Sequence, residues 1–191
     1  MKRICVFCGS NPGRGPKYRA MAVKLGHELA ARGLGLVYGG GRVGLMGAIA
    51  DAVLERGGEV VGVIPEDLVR KEVAHEGLSD LRVVSSMHER KALMASLSDG
   101  FIALPGGFGT LDEFCEILTW AQLGLHQKPC GILDVDGYFG PFLKFIDHSV
   151  AQGFISANHR GLILRYGEPE ALLDGFAKYK PVKLDKWLKK P

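Results

Sequence analysis

The chain has 191 residues, 47% of them hydrophobic and 24% charged, a length and balance that predict one ordinary globular domain with a substantial core. Twenty-four basic against 21 acidic residues leave a net charge of +3, too small and too dispersed to predict a nucleic-acid partner. No run of about 18 apolar residues is present, and the apolar run in MKRICVFCGS is shorter than a signal peptide's hydrophobic region, so no membrane association and a cytoplasmic location are expected.

Residues 3–8, RICVFC, predict a first buried strand, with the loop Gly9-Ser10-Asn11-Pro12-Gly13 at its carboxyl end. Cys5 and Cys8 are spaced like a metal-binding pair. Residues three apart in a strand face opposite sides, however, and no second pair completes a set, so buried thiols are expected and no metal. Met21, Ala22, Leu25, Leu29 and Ala30 recur at helical spacing, and Gly33 and Gly35 end that helix. A second strand over 34–38 runs into Gly39-Gly40-Gly41-Arg42-Val43-Gly44 and a helix over 45–56. This is a literal G-x-G-x-x-G between strand and helix, the pattern of a dinucleotide-binding turn. The acid that should follow about 20 residues on is displaced to Glu66 and Asp67, past the strand over 59–64, which weakens a nicotinamide-binding reading. Close packing of helix on strand explains these glycines at least as well.

From Glu66 to Asp80 the pattern dissolves into a polar, weakly periodic stretch before a short strand over 81–84. Glu72, His75 and Glu76 in that stretch are placed to reach a ligand above the sheet. Ser85-Ser86 then offers a cap to a largely buried helix that opens Met87-His88-Glu89-Arg90-Lys91. Cations at the positive end of a helix dipole are unfavourable unless an anion compensates, so Arg90 and Lys91 predict either a bound phosphate or a carboxylate partner nearby.

Residues 100–124, GFIALPGGFGTLDEFCEILTWAQLG, predict a buried strand over 101–104, a glycine turn and a helix over 110–123. Thr110 is the expected cap, with Asp112 and Glu113 in the first turn. Gly106, Gly107 and Gly109 bare the backbone amides at a helix start, which makes the turn from Gly106 through Phe108 to Thr110 a candidate phosphate cradle. It lacks the lysine and spacing of a nucleoside-triphosphatase loop. A carboxylate gains nothing as a phosphate ligand, so Glu113 is expected to face a sugar, where it can stabilise positive charge or direct water. On the same helix Leu111, Phe114, Cys115 and Leu118 form one apolar face, and Ile117, Trp120 and Leu123 another. A surface helix needs one such stripe, so the second predicts a homodimer, or else a helix buried on both sides within one chain.

A strand over 130–133, a helix over 139–152, an extended segment over 162–166 and a short helix over 168–173 complete the domain, predicted to span 1–175, and a lysine-rich tail follows over 176–191. Alternation of strand and helix predicts an α/β fold, a Rossmann-like, doubly wound parallel sheet in a single domain. Ligands of such sheets sit beyond the carboxyl ends of the strands, where the loops at Gly9-Ser10, Gly39-Gly40-Gly41, Glu72 and Gly106 fall. The expected partner is a small nucleotide.

Cys8-Gly9-Ser10, Tyr38-Gly39-Gly40-Gly41, Met87-His88-Glu89-Arg90-Lys91 and Pro105-Gly106-Gly107-Phe108-Gly109-Thr110-Leu111-Asp112-Glu113 together resemble the LONELY GUY (LOG) family, the last segment matching its P-G-G-x-G-T-x-x-E pattern at every fixed position. The resemblance extends from about Cys5 to Gly175. It implies a homodimeric, Rossmann-like, cofactor-free and metal-free enzyme that cleaves cytokinin riboside 5'-monophosphates to a free N6-substituted adenine and ribose 5-phosphate. Residue by residue it implies that Arg90 and Glu113 are the catalytic pair, and that Lys91, the Gly107 to Thr110 turn, Glu72 and Thr119 line the nucleotide pocket. Older labels call such chains lysine decarboxylases, and nothing in this sequence supports that pyridoxal chemistry. A non-catalytic nucleotide or cofactor carrier of the same architecture is the alternative from another functional class.

Overall fold

The computed structural model describes residues 1–69, 74–78 and 80–182. Strand β1 (Arg3–Phe7) leads through helix α1 (Lys17–Ala31) to β2 (Gly35–Tyr38), and α2 (Gly44–Glu55) leads on to β3 (Val60–Pro65). A short α3 (Glu66–Val69) precedes β4 (Asp80–Val84), and α4 (Met87–Leu97) then returns the chain to β5 (Gly100–Ala103). The second half runs α5 (Phe108–Gln122), β6 (Cys130–Leu133), a 3-10 turn (Val135–Gly137), α6 (Gly140–Ala151), α7 (Ala157–Arg160), β7 (Ile163–Tyr166) and α8 (Pro169–Ala177). The strands form one sheet in the order β4-β3-β2-β1-β5-β6-β7, every neighbouring pair parallel.

Alternation along each strand feeds two cores, one per sheet face. Ile4, Val6, Leu36, Tyr38 and Ile102 pack with Leu25, Leu29, Ile49, Val53, Leu172 and Phe176. Cys5, Phe7, Val37, Phe101 and Ala103 face the other way, against Met94, Phe114, Ile117 and Leu143. Strands covered on both faces carry near-continuous apolar runs, which is why the pattern predicted parallel pairing. Cys5 and Cys8 fall into opposite cores as unpaired thiols, and desolvation pushes both well above the ordinary thiol range.

The expected elements are present with shifted edges. The polar stretch after β3 contains the short helix α3, and the last helix runs on to Ala177. Thr110 does not cap α5: the helix starts at Phe108 with Gly107 as N-cap, so Thr110 lies buried inside the first turn and Glu113 one turn further in. The two expected stripes of α5 also divide differently. Phe114 and Ile117 both pack on the sheet, while Cys115 is exposed and Leu111 and Leu118 are half-buried on the flank. No helix among the described residues is long and apolar enough to cross a membrane.

Candidate active site

Strand order reverses between β1 and β5: the chain runs outward from β1 through β2, β3 and β4, then α4 carries it back to the opposite side of β1. Loops at the carboxyl ends of these two strands diverge, and a cavity of about 380 Å³ opens between them. Its floor is Val6, Phe7 and Cys8 at the end of β1, and its walls include Gly9, Ser10, Arg90, Glu113 and the turn from Pro105 to Thr110. The backbone fixes the two loops to each other, since Leu104 N donates to Phe7 O at 2.9 Å and Gly9 N donates to Pro105 O at 3.0 Å.

Two helix starts illustrate what is special about the turn. At α4, the Ser86 hydroxyl accepts from Glu89 N, and the Glu89 carboxylate accepts from Ser85 N and Oγ, so side chains of the helix start bond its own backbone. At α5, the N-cap is Gly107, which has no side chain to accept anything. The residues at the start of this helix line the cavity, and helix-start amides without a side-chain cap can serve an anion as donors. A Cβ at Gly106 would lie 2.0 Å from Thr110 Oγ1 and 2.8 Å from Gly9 N, so packing demands that glycine. Cβ atoms at Gly107 and Gly109 would meet nothing within 4 Å. Neither has a positive φ, and Gly109 inside the first turn is unfavourable for the helix, so packing and backbone conformation do not account for it.

Facing the turn are two buried charges. Arg90 is 5% exposed and Glu113 8% exposed, with Arg90 Nη2 3.4 Å from Glu113 Oε1. Arg90 Nε donates to Val63 O at 3.1 Å, which anchors the guanidinium beneath the end of β3. Room for it is made by Gly39, where a Cβ would stand 2.2 Å from Arg90 Nη2. Desolvating an arginine and a carboxylate together costs about as much as their attraction returns, so such a pair is weak as a stabilising device. In the wall of a cavity such a pair can act chemically, the cation toward an anion and the carboxylate toward a developing positive charge.

Known proteins resemble this chain over most of its length. The family described as possible lysine decarboxylase matches residues 46–176. A probable cytokinin riboside 5'-monophosphate phosphoribohydrolase of Oryza sativa subsp. japonica is 53% identical over 181 residues, which is 95% of this chain and 80% of the relative. The cytokinin riboside 5'-monophosphate phosphoribohydrolase LOG of the same species is 52% identical over 180 residues, 94% of this chain and 74% of that protein.

The chain belongs to the LONELY GUY family.

Its fold is shared more widely, as with the Moco carrier protein of Chlamydomonas reinhardtii, which is 21% identical with a TM-score of 0.71 over 93% of this chain and 96% of that one.

Of the residues that the LONELY GUY pattern implies, Arg90, Glu113, Gly106, Gly107, Phe108, Gly109 and Thr110 come together on the cavity, with Gly9 and Ser10 opposite. Phe108 is 95% exposed at the rim. Lys91 does not line the cavity: its ammonium lies 3.2 Å from Asp112 and 3.0 Å from Glu116 on the neighbouring α5, the carboxylate pairing that its position at a helix start allowed. Thr119 is exposed, and its hydroxyl donates to Cys115 O of its own helix. Glu72 lies outside the described residues.

Gly40 and Gly41 are buried and stand off the cavity wall, while Gly39, Leu45 and Met46 around them line it, so of the second glycine motif only its two edges reach the site. Gly44 has φ +62, and a Cβ there would fall 2.3 Å from the Ser10 carbonyl, while Leu45 N at the start of α2 is already taken by Gly9 O at 3.0 Å. One amide at the start of α2 is thus already bonded within the chain, which counts against the nicotinamide reading. His75 instead pins its segment to α2, with Nε2 2.9 Å from Asp51 Oδ1 and its amide donating to Gly40 O. Asn11, Pro12, Tyr18, Met46 and Tyr138 line the cavity without having been singled out in the sequence.

Proposed function

We propose that this protein hydrolyses the N-glycosidic bond of N6-substituted adenosine 5'-monophosphates, cytokinin riboside 5'-monophosphates among them, to a free base and ribose 5-phosphate. The observation that carries this reading is the placement of the uncapped α5 turn and the buried Arg90–Glu113 pair on one cavity. The turn amides and Arg90 hold the 5'-phosphate, and Glu113 stands at the pentose. As the bond from C1' to the base breaks, its electrons leave with the base nitrogen and positive charge builds on the ribose ring. An anion close to that ring lowers the barrier. Water adds to C1', and one of its protons ends on the released base. Glu113 steadies the ring charge and directs the water. Relatives at about half identity carry this activity in their names, whereas the likeness to a carrier protein is one of fold, which favours catalysis over carriage. No lysine is among the described residues of the cavity wall, so nothing there would form the Schiff base of a pyridoxal decarboxylase. Incubation with AMP and with isopentenyl-AMP, followed by chromatography, should yield free adenine and free isopentenyladenine; intact nucleotide after prolonged incubation would overturn the reading.

One substitution separates the turn's role in binding from its role in folding. Gly107→Asp supplies an N-cap acceptor where the protein has space, so the thermal midpoint should hold or rise, by the few tenths of a kcal/mol that separate these caps. The same carboxylate occupies the anion site and repels a phosphate, so the KM for AMP should rise about tenfold or more. A stable variant with unchanged KM would show that the phosphate binds elsewhere.

We propose a homodimer through the second stripe of α5, of which Ile117 packs on the sheet while Trp120 is half-buried and Leu123 exposed. Light scattering at micromolar concentration should return twice the 20.7 kDa chain mass, and a monomeric mass would refute it. The four cysteines are unpaired, which suits a reducing compartment such as the cytoplasm.

A further inference from the structure

Gly106 and Gly107 are consecutive glycines at the centre of the anion-binding turn, and a peptide unit between two glycines has little intrinsic preference for its orientation. Its direction matters. In a planar trans peptide the Gly106 carbonyl and the Gly107 amide point opposite ways, so one rotation of the plane exchanges a donor for an acceptor on the cavity wall. An acceptor there would face a phosphate with like partial charge.

The carbonyl is held from outside the turn. Tyr138 Oη donates to Gly106 O at 2.7 Å, and no other donor among the described residues reaches that oxygen. Tyr138 comes from the segment between β6 and α6, 32 positions away, and that segment is itself braced. The buried Asp134 carboxylate accepts from Phe139 N at 2.8 Å and from Arg165 Nε of β7 at 2.7 Å. Asp136 is the one non-glycine with positive φ among the described residues, and its carboxylate is paired with Lys17. The Tyr138 ring stands edge-on to Tyr18 at 5.8 Å and to Phe139 at 5.2 Å. A left-handed Asp and a buried carboxylate are unusual provisions for a connecting loop, and their common result is a fixed phenol.

We propose that Tyr138 is a positioning residue for phosphate recognition: by holding the Gly106 carbonyl it fixes the plane of the Gly106–Gly107 peptide, and with it the Gly107 amide, for the 5'-phosphate. This rests on the nucleotide reading of the site. It requires Tyr138 to affect only ligands that carry the phosphate, and it leaves the chemistry at C1' to other groups.

The test is Tyr138→Phe, which keeps the ring and its edge contacts and removes only the hydroxyl. Binding of AMP and of adenosine to the wild type and the variant is measured by calorimetry, with thermal midpoints and base-release kinetics alongside. The AMP Kd and KM should rise about three- to tenfold, the span expected for one neutral hydrogen bond, with adenosine affinity and kcat held near wild type. Unchanged AMP affinity would overturn the proposal. So would equal weakening of AMP and adenosine with a lowered midpoint, which would mark a purely structural tyrosine. A wild type that binds AMP but releases no base would defeat the proposed reaction and leave this inference standing.

Discussion

Glu113→Gln should reduce base release from AMP-type substrates by about 10²-fold or more while KM stays the same or falls. The amide has the shape of the carboxylate, so the substitution removes charge and little else. The 8% exposed side chain stands in water-poor surroundings, where an anion facing an oxocarbenium-like ring is worth far more than it would be in solvent. Binding should not suffer, because a carboxylate near a phosphate repels it in the ground state. A loss confined to kcat is the signature of a group acting in the transition state. Near-normal turnover would refute the assignment. Loss of KM with kcat preserved would move Glu113 from chemistry to substrate binding.

Arg90→Ala should be the most damaging substitution in the protein, since it acts on both sides of the reaction. It withdraws the cation facing the phosphate and leaves Glu113 without the guanidinium 3.4 Å away. Turnover should fall by about 10²-fold or more, and KM should rise with it. Stability should drop as well, because a buried carboxylate loses its guanidinium neighbour; about 3–5 kcal/mol is the cost in a closed interior, and the open cavity reduces it. Arg90→Lys keeps a charge but gives up the planar fork that reaches both Val63 O and Glu113, so it should recover folding more than activity. Residues acting as one unit are not additive: the Arg90→Ala, Glu113→Gln double variant should be little slower than the slower single variant. Multiplying losses would mean that the two groups act independently.

Much of the architecture was legible in the chain, and for identifiable reasons. Buried parallel strands must be apolar on both faces, so RICVF, GLVY and GFIA declare themselves locally, and the glycine turn before α5 is visible because glycine exposes backbone wherever it stands. Ser86 as a cap is equally local. The misreadings share one cause. Thr110 has the chemistry of a cap, yet the chain places Gly107 at that position and turns Thr110 inward against Gly106. Gly39 to Gly44 matches a nucleotide fingerprint, yet what fills its space is Ser10 and the Arg90 side chain.

The sequence by itself determined the strand and helix alternation, the bare amides at Gly107 and Gly109 and the supply of one acid just beyond them, because each follows from a residue and its near neighbours. Tertiary structure decided which distant groups meet there. Arg90 reaches Glu113 across 23 positions only because α4 crosses back over the sheet from β4 to β5, and Tyr138 reaches Gly106 only because β6 lies beside β5. Such meetings are set by strand order, a property of the whole sheet that no short stretch of chain encodes.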